Sequence, residues 1–327
     1  MSFRALFTTK SDDKQIETNL IEMAEDDLMP GDVTIDVEWS TVNYKDGLAL
    51  SGAPGIIQSY PMIGGIDLAG TVTSSEDARY KPGDKVLING WALSQTHFGG
   101  YAEKARVKSD WLIKVPDTFT TRQTMAIGTA GYTAMLSILA LEHNGVTPEK
   151  GPVLVTGANG GVGSIAIAVL SNLGFEVIAS TGRMDEEAYL KSLGATSIID
   201  RTSLSEPGRP LGKERWAGAV DAVGSHTLVN VLAQTQYRGA VAACGLAQGP
   251  DLPATVMPFI LRNVTLAGID SVNAPYAARK TAWDRLAKDL NPEILEHTIT
   301  EVNLEDVPET AANILKGKIK GRTLVKV

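Results

Sequence analysis

Gly157-Ala158-Asn159-Gly160-Gly161-Val162-Gly163 lies between an apolar run, Val153-Leu-Val-Thr156, and a second apolar stretch from Ser164 to Gly174. A strand that turns this tightly into a helix aims free N–H groups and the positive end of the helix dipole at one point. The chemistry on offer is phosphate binding without a basic side chain. Gly160 lets the backbone approach a pyrophosphate, and Gly163 lets the new helix press against the strand. Ala158 stands where the first glycine of such turns usually falls, so the pattern is a variant. A tight strand-to-helix turn in some other α/β protein is the competing reading. Against it, Phe175-Glu-Val-Ile-Ala-Ser180 supplies a second apolar strand one helix later, completing a β-α-β unit. Where an NAD-binding unit places an acid for the ribose 2′-OH, this chain has Ser180-Thr181-Gly182-Arg183. Hydroxyls and a guanidinium there suit a 2′-phosphate, which favours NADPH over NADH. Arg201, after the apolar run Ser197-Ile-Ile-Asp200, adds a second charge or a surface on which adenine stacks.

The rest of the chain must position this unit. Its 327 residues, 43% of them apolar, are enough for two cores, and two domains are expected. Before the glycine turn the texture is that of short strands: Val33, Ile35, Val37 and Trp39 alternate with polar residues. Gly65 to Val72 and Lys85 to Asn89 continue the pattern, the second launched by the turn Lys81-Pro-Gly-Asp84. Ala126 to Leu141 reads as a long apolar helix leading into the nucleotide unit. Apolar strands follow at Gly218–Val223, Gly239–Gly245 and Val264–Ile269, giving six strands with crossovers and hence a doubly wound parallel sheet. The last residues, Gly321 to Val327, are strand-like and are expected to rejoin the first domain. The expected division is 1–124 with 273–327, and 125–272. A net charge of −8 argues against nonspecific nucleic-acid binding. The single cysteine, Cys244, excludes an intramolecular disulfide and a cysteine-built zinc cluster. With no signal-like start and no run of 18 apolar residues, a soluble cytoplasmic protein without a membrane partner is expected.

Several further motifs occur in order: Val42-Asn-Tyr-Lys-Asp46, Pro61-Met-Ile-Gly-Gly-Ile-Asp-Leu-Ala-Gly70, Gly128-Thr-Ala-Gly-Tyr-Thr-Ala-Met135, Val241-Ala-Ala-Cys-Gly-Leu246 and Met257-Pro-Phe-Ile-Leu-Arg-Asn263. With them the chain, from near residue 3 to its C-terminus, resembles the zinc-independent medium-chain dehydrogenases/reductases of the quinone-oxidoreductase-like branch, and among these the bacterial NADPH-dependent acryloyl-CoA reductases. The resemblance implies an α/β fold in which a GroES-like β-rich catalytic domain carries an inserted Rossmann domain, with the active site in the cleft between them, and usually a homodimer. Zinc-dependent relatives carry Gly-His-Glu near the position of Gly65-Ile66-Asp67. Ile66 cannot ligate a metal, so no zinc site of the family type is expected. His97 reads as a loop-packing residue.

The implied reaction is reduction of acryloyl-CoA to propionyl-CoA. Without a Lewis acid, hydride transfer needs an acceptor that is already electrophilic, which a conjugated thioester is. Hydride at the β carbon leaves an enolate for hydrogen-bond donors to stabilise before the α carbon is protonated. The resemblance places Asn43 and Tyr44 beside the nicotinamide. Tyr44 is expected to donate to the enolate or to position the cofactor, and Asn43 to orient either; packing of Tyr44 on the ring, with solvent as proton source, is equally open. Asp46 reads as a local hydrogen-bonding residue. Also carried over as cofactor contacts are Asn159, Gly160, Gly161 and Val162 at the pyrophosphate, and Thr181, Gly182, Arg183 and Arg201 at the adenosine phosphate. Leu246, Ile260 and Ser271 flank the nicotinamide half, and Lys316 lies in the returning segment. For Leu246 and Ile260 a plain core role is the alternative, and for Lys316 a solvated helix-end charge. An NADPH-dependent quinone or enal reductase shares nearly every one of these residues, and a noncatalytic NADPH-binding protein stays open on the same fold.

Overall fold

The computed structural model describes residues 2–327. Their contacts divide them into two compact units, residues 1–129, 271–280 and 295–327 in the first, and 130–270 with 281–294 in the second.

The first unit begins with β1 (Ser2–Lys10) and β2 (Ile16–Ala24), an antiparallel pair. β3 (Val33–Val42) follows, and α1 (Tyr44–Leu50) starts immediately after it. β4 (Met62–Ile63) pairs with β1, and β5 (Asp67–Ser75), β6 (Lys85–Asn89), β7 (Lys104–Val107) and β8 (Ile113–Lys114) build onto β3. Val33, Ile35 and Val37 are buried as their alternation requires, against Leu68, Val86 and Ile88.

The chain leaves this unit inside α2 (Thr121–His143), whose backbone breaks at Gly128 (φ 52°, ψ −164°). This helix is long and apolar enough to cross a membrane by composition, yet 78% of its apolar window is buried within the fold, as a core helix requires.

In the second unit, β9 (Val153–Val155) runs through the glycine turn into α3 (Gly161–Asn172). The pattern repeats with β10 (Val177–Thr181), α4 (Glu187–Ser192), β11 (Ser197–Asp200), α5 (Thr202–Ser205), β12 (Trp216–Asp221), α6 (Ser225–Ala233), β13 (Thr235–Ala243), α7 (Met257–Arg262) and β14 (Thr265–Gly268). The strands form a six-stranded sheet in the order β11-β10-β9-β12-β13-β14, every pair parallel. This is the doubly wound order, and its switch point falls between β9 and β12, at the glycine turn.

The return differs from the expected single crossing at 273. Residues 271–280 belong to the first unit, but 281–294, expected there too, stay with the second. The reason lies in α8 (Tyr276–Asp289), whose second half buries Ala282, Trp283 and Leu286. Arg285 there makes a bidentate pair with Glu142 (2.7 and 2.8 Å), and Asn172 Nδ2 donates to the Asp289 carbonyl (3.0 Å). After α9 (Pro292–Glu296), the chain completes the first unit with β15 (Ile299–Asn303), α10 (Val307–Leu315) and β16 (Arg322–Lys326). β16 pairs antiparallel with β3, joining Thr323 to Val42, so the tail rejoins the first sheet as its sequence predicts.

Candidate active site

In the first unit, Asn43 is the last residue before α1, and Asp46 is three positions on. This spacing makes a capping arrangement: Asn43 N donates to Asp46 Oδ2 at 2.8 Å. The Asp46 carboxylate also accepts from Asn43 Nδ2 (3.1 Å) and, through Oδ1, from Ile66 N (3.0 Å). Asn43 Nδ2 donates a second time, to Asp67 Oδ2 at 2.8 Å, and Asn43 Oδ1 accepts from Arg322 Nη1 at 3.2 Å. The carboxamide of Asn43 therefore has both donors and its oxygen engaged inside the protein. Asp67 receives further donors from Thr129 N (2.9 Å), Thr129 Oγ1 (2.6 Å) and Asn89 Nδ2 (2.7 Å). Arg322 also donates to Thr41 Oγ1 (2.8 Å) and to the Ala126 carbonyl (2.9 Å).

Asp46 and Asp67 are fully buried and Arg322 nearly so. Burial, reinforced by the charge of Asp67, pushes the Asp46 carboxyl up to about 7 against the pull of its N–H donors. Burial also lowers the Arg322 guanidinium, opposed by the carboxylates of Asp67 and Asp46. The break at Gly128 makes room for this cluster: a Cβ there would strike Arg322 Nη2 and lie 3.1 Å from Asp67 Oδ2. Asp67, Arg322, Thr129 and Asn89 escape sequence reasoning because they converge only in the folded chain, three from strands and Thr129 from α2. Gly65-Ile66-Asp67, read only for its lack of a metal ligand, held the one available hint.

Tyr44, next to the clamped Asn43, remains 43% exposed on the first turn of α1. An exposed phenol beside a fully satisfied cluster is free to meet a ligand. Ser271 and Lys316 belong to this unit as well. The Ser271 carbonyl accepts from the buried Arg279 (3.2 Å), and Lys316 is exposed at the end of α10. Lys316 lines a groove of about 440 Å³ with Gly47, Leu50, Ser51, Ala312 and Leu315. His97 is a packing residue: its Nε2 bonds the Arg106 carbonyl at 2.8 Å and its ring meets Trp111 edge-on.

The second unit holds the nucleotide-type residues. Gly160 precedes α3 in extended conformation, and the helix has neither a side-chain cap nor an acid in its first turn. Its N-terminal N–H groups are thus available to an anion. A Cβ on Gly163 would fall 2.7 Å from Ala158 Cα, which is the close helix-to-turn packing anticipated for that glycine. Asn159 is buried; its Oδ1 accepts from Thr181 Oγ1, while its Nδ2 has no hydrogen-bond partner. A buried donor without a partner is costly and marks a place where a ligand atom fits. Thr181 Oγ1 in turn accepts from Arg183 N at 2.9 Å, and Arg201 N donates to the Thr181 carbonyl at 2.8 Å. Arg201 lies across Gly182, whose Cβ would sit 2.5 Å from Arg201 Nε. The turn after β10 thus gathers Thr181, Gly182, Arg183 and Arg201, a donor set suited to a phosphate monoester on a dinucleotide.

Leu246 (55% exposed) and Ile260 (71% exposed) are not core residues. At the end of β12, buried Asp221 accepts from Thr156 Oγ1 (2.6 Å) and Gly224 N (2.8 Å), pinning the loop after that strand. Burial pushes the Cys244 thiol up to about 12, so it is no nucleophile at neutral pH. Among the described residues no group of three or more His, Cys, Asp or Glu side chains is placed to hold a metal.

Residues 29–117 match the alcohol dehydrogenase GroES-like domain family and residues 161–288 the zinc-binding dehydrogenase family. The chain is 52% identical to the acrylyl-CoA reductase AcuI of Ruegeria pomeroyi, over 99% of both chains. It is 44% identical to the putative quinone oxidoreductase YhfP of Bacillus subtilis, again over 99% of both. The crystal structure of the yhdH oxidoreductase from Salmonella enterica in complex with NADP superimposes with a TM-score of 0.97 at 51% identity, covering 100% of both chains.

Proposed function

This chain belongs to the medium-chain dehydrogenase/reductase family, in the branch of the acrylyl-CoA reductases and quinone-oxidoreductase-like proteins, and on that premise we propose that it reduces acryloyl-CoA to propionyl-CoA with NADPH. The geometric observation that carries the cofactor is the turn after β10, where Arg183 and Arg201 flank Gly182 and the strand ends on Thr181 rather than on an acid. The acyl-CoA substrate follows from the full-length similarity to acrylyl-CoA reductase.

When bound, NADPH supplies the hydride that reaches the β carbon of the acyl thioester. Asn159 Nδ2, the backbone of Gly160, Gly161 and Val162, and the first turn of α3 hold the pyrophosphate. Thr181, Gly182, Arg183 and Arg201 hold the 2′-phosphate. Leu246 and Ile260 offer exposed apolar surface to the nicotinamide half. Tyr44 donates its phenolic proton as a hydrogen bond to the oxygen on which enolate charge develops. Asn43, its own amide consumed, fixes Tyr44 rather than touching substrate.

The reaction runs without zinc. Ile66 has no ligating atom, and Asp67 is already committed to four donors. The enzyme works as a cytoplasmic homodimer with no nucleic-acid or membrane partner. The unpaired edge of β14 and the exposed Val256 and Leu261 shortly before it in the chain support a dimer face.

The test is NADPH oxidation by the purified protein with acryloyl-CoA, free acrylate, crotonyl-CoA and a simple quinone, with NADH as control. Rapid turnover of acryloyl-CoA with NADPH, yielding propionyl-CoA, is expected. Turnover of the quinone alone would favour a quinone reductase, the reading suggested by the 44% identity to YhfP.

A further inference from the structure

We propose that Asp46 and Asp67, together with Arg322, are positioning residues for the reductive step: they clamp Asn43 and thereby fix the direction in which Tyr44 leaves the start of α1. The inference rests on the reading of Tyr44 as a cofactor or substrate contact.

Four observations converge on it. Every polar atom of the Asn43 carboxamide is held, the two N–H donors by two different carboxylates and the oxygen by Arg322. Those three groups come from separate elements, α1, β5 and β16, so the clamp fixes Asn43 against the sheet as well as its own helix. The ordinary capping role of Asp46 would need only its bond to Asn43 N; its additional bonds to Asn43 Nδ2 and Ile66 N tie the helix start to the strand that carries Asp67. Finally, the protein keeps two carboxylates and a guanidinium in a fully buried place, although apolar residues of similar volume pack there at no desolvation cost. A helix of seven residues is too short to hold its own first turn rigid, and the cluster does so in its stead. The adjacent side chain, Tyr44, is the one that remains exposed. A phenol swung by even about 1 Å would lose much of a hydrogen bond made only in the transition state.

The experiment is a double-mutant cycle in the full-length enzyme, with Asp46→Asn, Tyr44→Phe and the double variant, reading kcat, KM for each substrate and NADPH dissociation by fluorescence. Asp46→Asn keeps the shape but leaves one oxygen where two accept now, so it breaks either the Asn43 or the Ile66 bond. The expected result is a fall in kcat of about tenfold or more, with NADPH dissociation changed less than threefold. In the Tyr44→Phe background the same substitution should cost little further, because a residue acting through Tyr44 has nothing left to position. Additive losses, or an unchanged kcat per folded molecule with only a lowered melting temperature, would overturn the proposal. Thr129→Val, which removes one donor to Asp67 without adding a charge, serves where Asp46→Asn does not fold; it should reduce kcat about threefold and show the same non-additivity with Tyr44→Phe. The unmodified enzyme reports separately on the substrate. If it reduces a quinone or an enal instead of acryloyl-CoA, the cycle is run with that acceptor and decides the positioning role alone.

Discussion

The cluster around Asn43 and the turn around Asn159 are both built on an asparagine beside a helix start, and they are finished to different degrees. At Asn43 each polar atom of the carboxamide has a protein partner, and two carboxylates and a guanidinium are sealed beneath it. At Asn159 the oxygen is held by Thr181, but the Nδ2 is buried without a partner, and the α3 N-terminus has no cap. The first arrangement is complete in the protein alone and serves to hold something else in place. The second is left open by the protein alone. Polar groups satisfied by the fold contribute to stability and orientation, whereas groups left open contribute to binding.

The difference is broken most severely at the glycines. Gly128→Ala puts a Cβ into the Arg322 guanidinium and beside Asp67 at a residue with φ of 52°. Backbone strain of roughly 1–3 kcal/mol and overpacking of roughly 1–3 kcal/mol should combine to several kcal/mol of lost stability in urea unfolding. Gly157→Ala, at φ of 60° with nothing nearer than 3.6 Å to the new Cβ, should lose only the backbone cost, about 1–2 kcal/mol. Equal losses at the two sites would show that the Asn43 cluster is not tightly closed.

A second prediction concerns pH. The Asp46 carboxyl is raised to about 7 from an ordinary value of 3.8, so between those limits the folded protein binds a proton that the unfolded chain releases. The contribution to stability is full below about 4 and is lost as pH rises through about 7. At about 1.4 kcal/mol per pKa unit the total is on the order of a few kcal/mol. Urea unfolding across this window should show stability falling with pH in the unmodified protein, and a flatter curve in Asp46→Asn. A curve that is the same for both would place the proton elsewhere.

At the open site the effects fall on the ligand. Arg183→Ala should weaken NADPH by roughly 1.5–3 kcal/mol, the usual loss for one charged hydrogen-bond partner, while sparing NADH. Equal losses for the two cofactors would refute the 2′-phosphate assignment. The smallest effect expected is none: prolonged dialysis against a strong chelator should leave kcat unchanged, and loss of activity restored by zinc would overturn the metal-free reading of Ile66 and Asp67.

Much of the second unit is legible along the chain. Gly157 to Gly163, Ser180 to Arg183 and Arg201 lie at the ends of consecutive strands, and a doubly wound sheet brings successive strand ends together by its connectivity. The succession of strands along the chain, the strand character of the tail and the pair Asn43-Tyr44 are readable for the same reason, because each rests on local periodicity or adjacent residues. The exposure of Leu246 and Ile260 is not, since an apolar side chain looks the same in sequence whether it faces a core or a ligand. Nor is the place of residues 281–294, which the Arg285–Glu142 pair and buried Trp283 hold in the second unit.

Sequence alone thus determined the parts whose partners are near neighbours: the glycine turn, the ends of the strands that follow it, and the helix start at Asn43. Tertiary structure decided which of those parts are already satisfied. Arg322 and Asn43 meet across 279 residues of chain, and no local pattern records that meeting. It exists because β16 pairs with β3 and because α2 breaks at Gly128 to leave room for a guanidinium. Hydrogen bonding and burial depend on distances in space, and there the chain's own order carries no information until the sheet has closed.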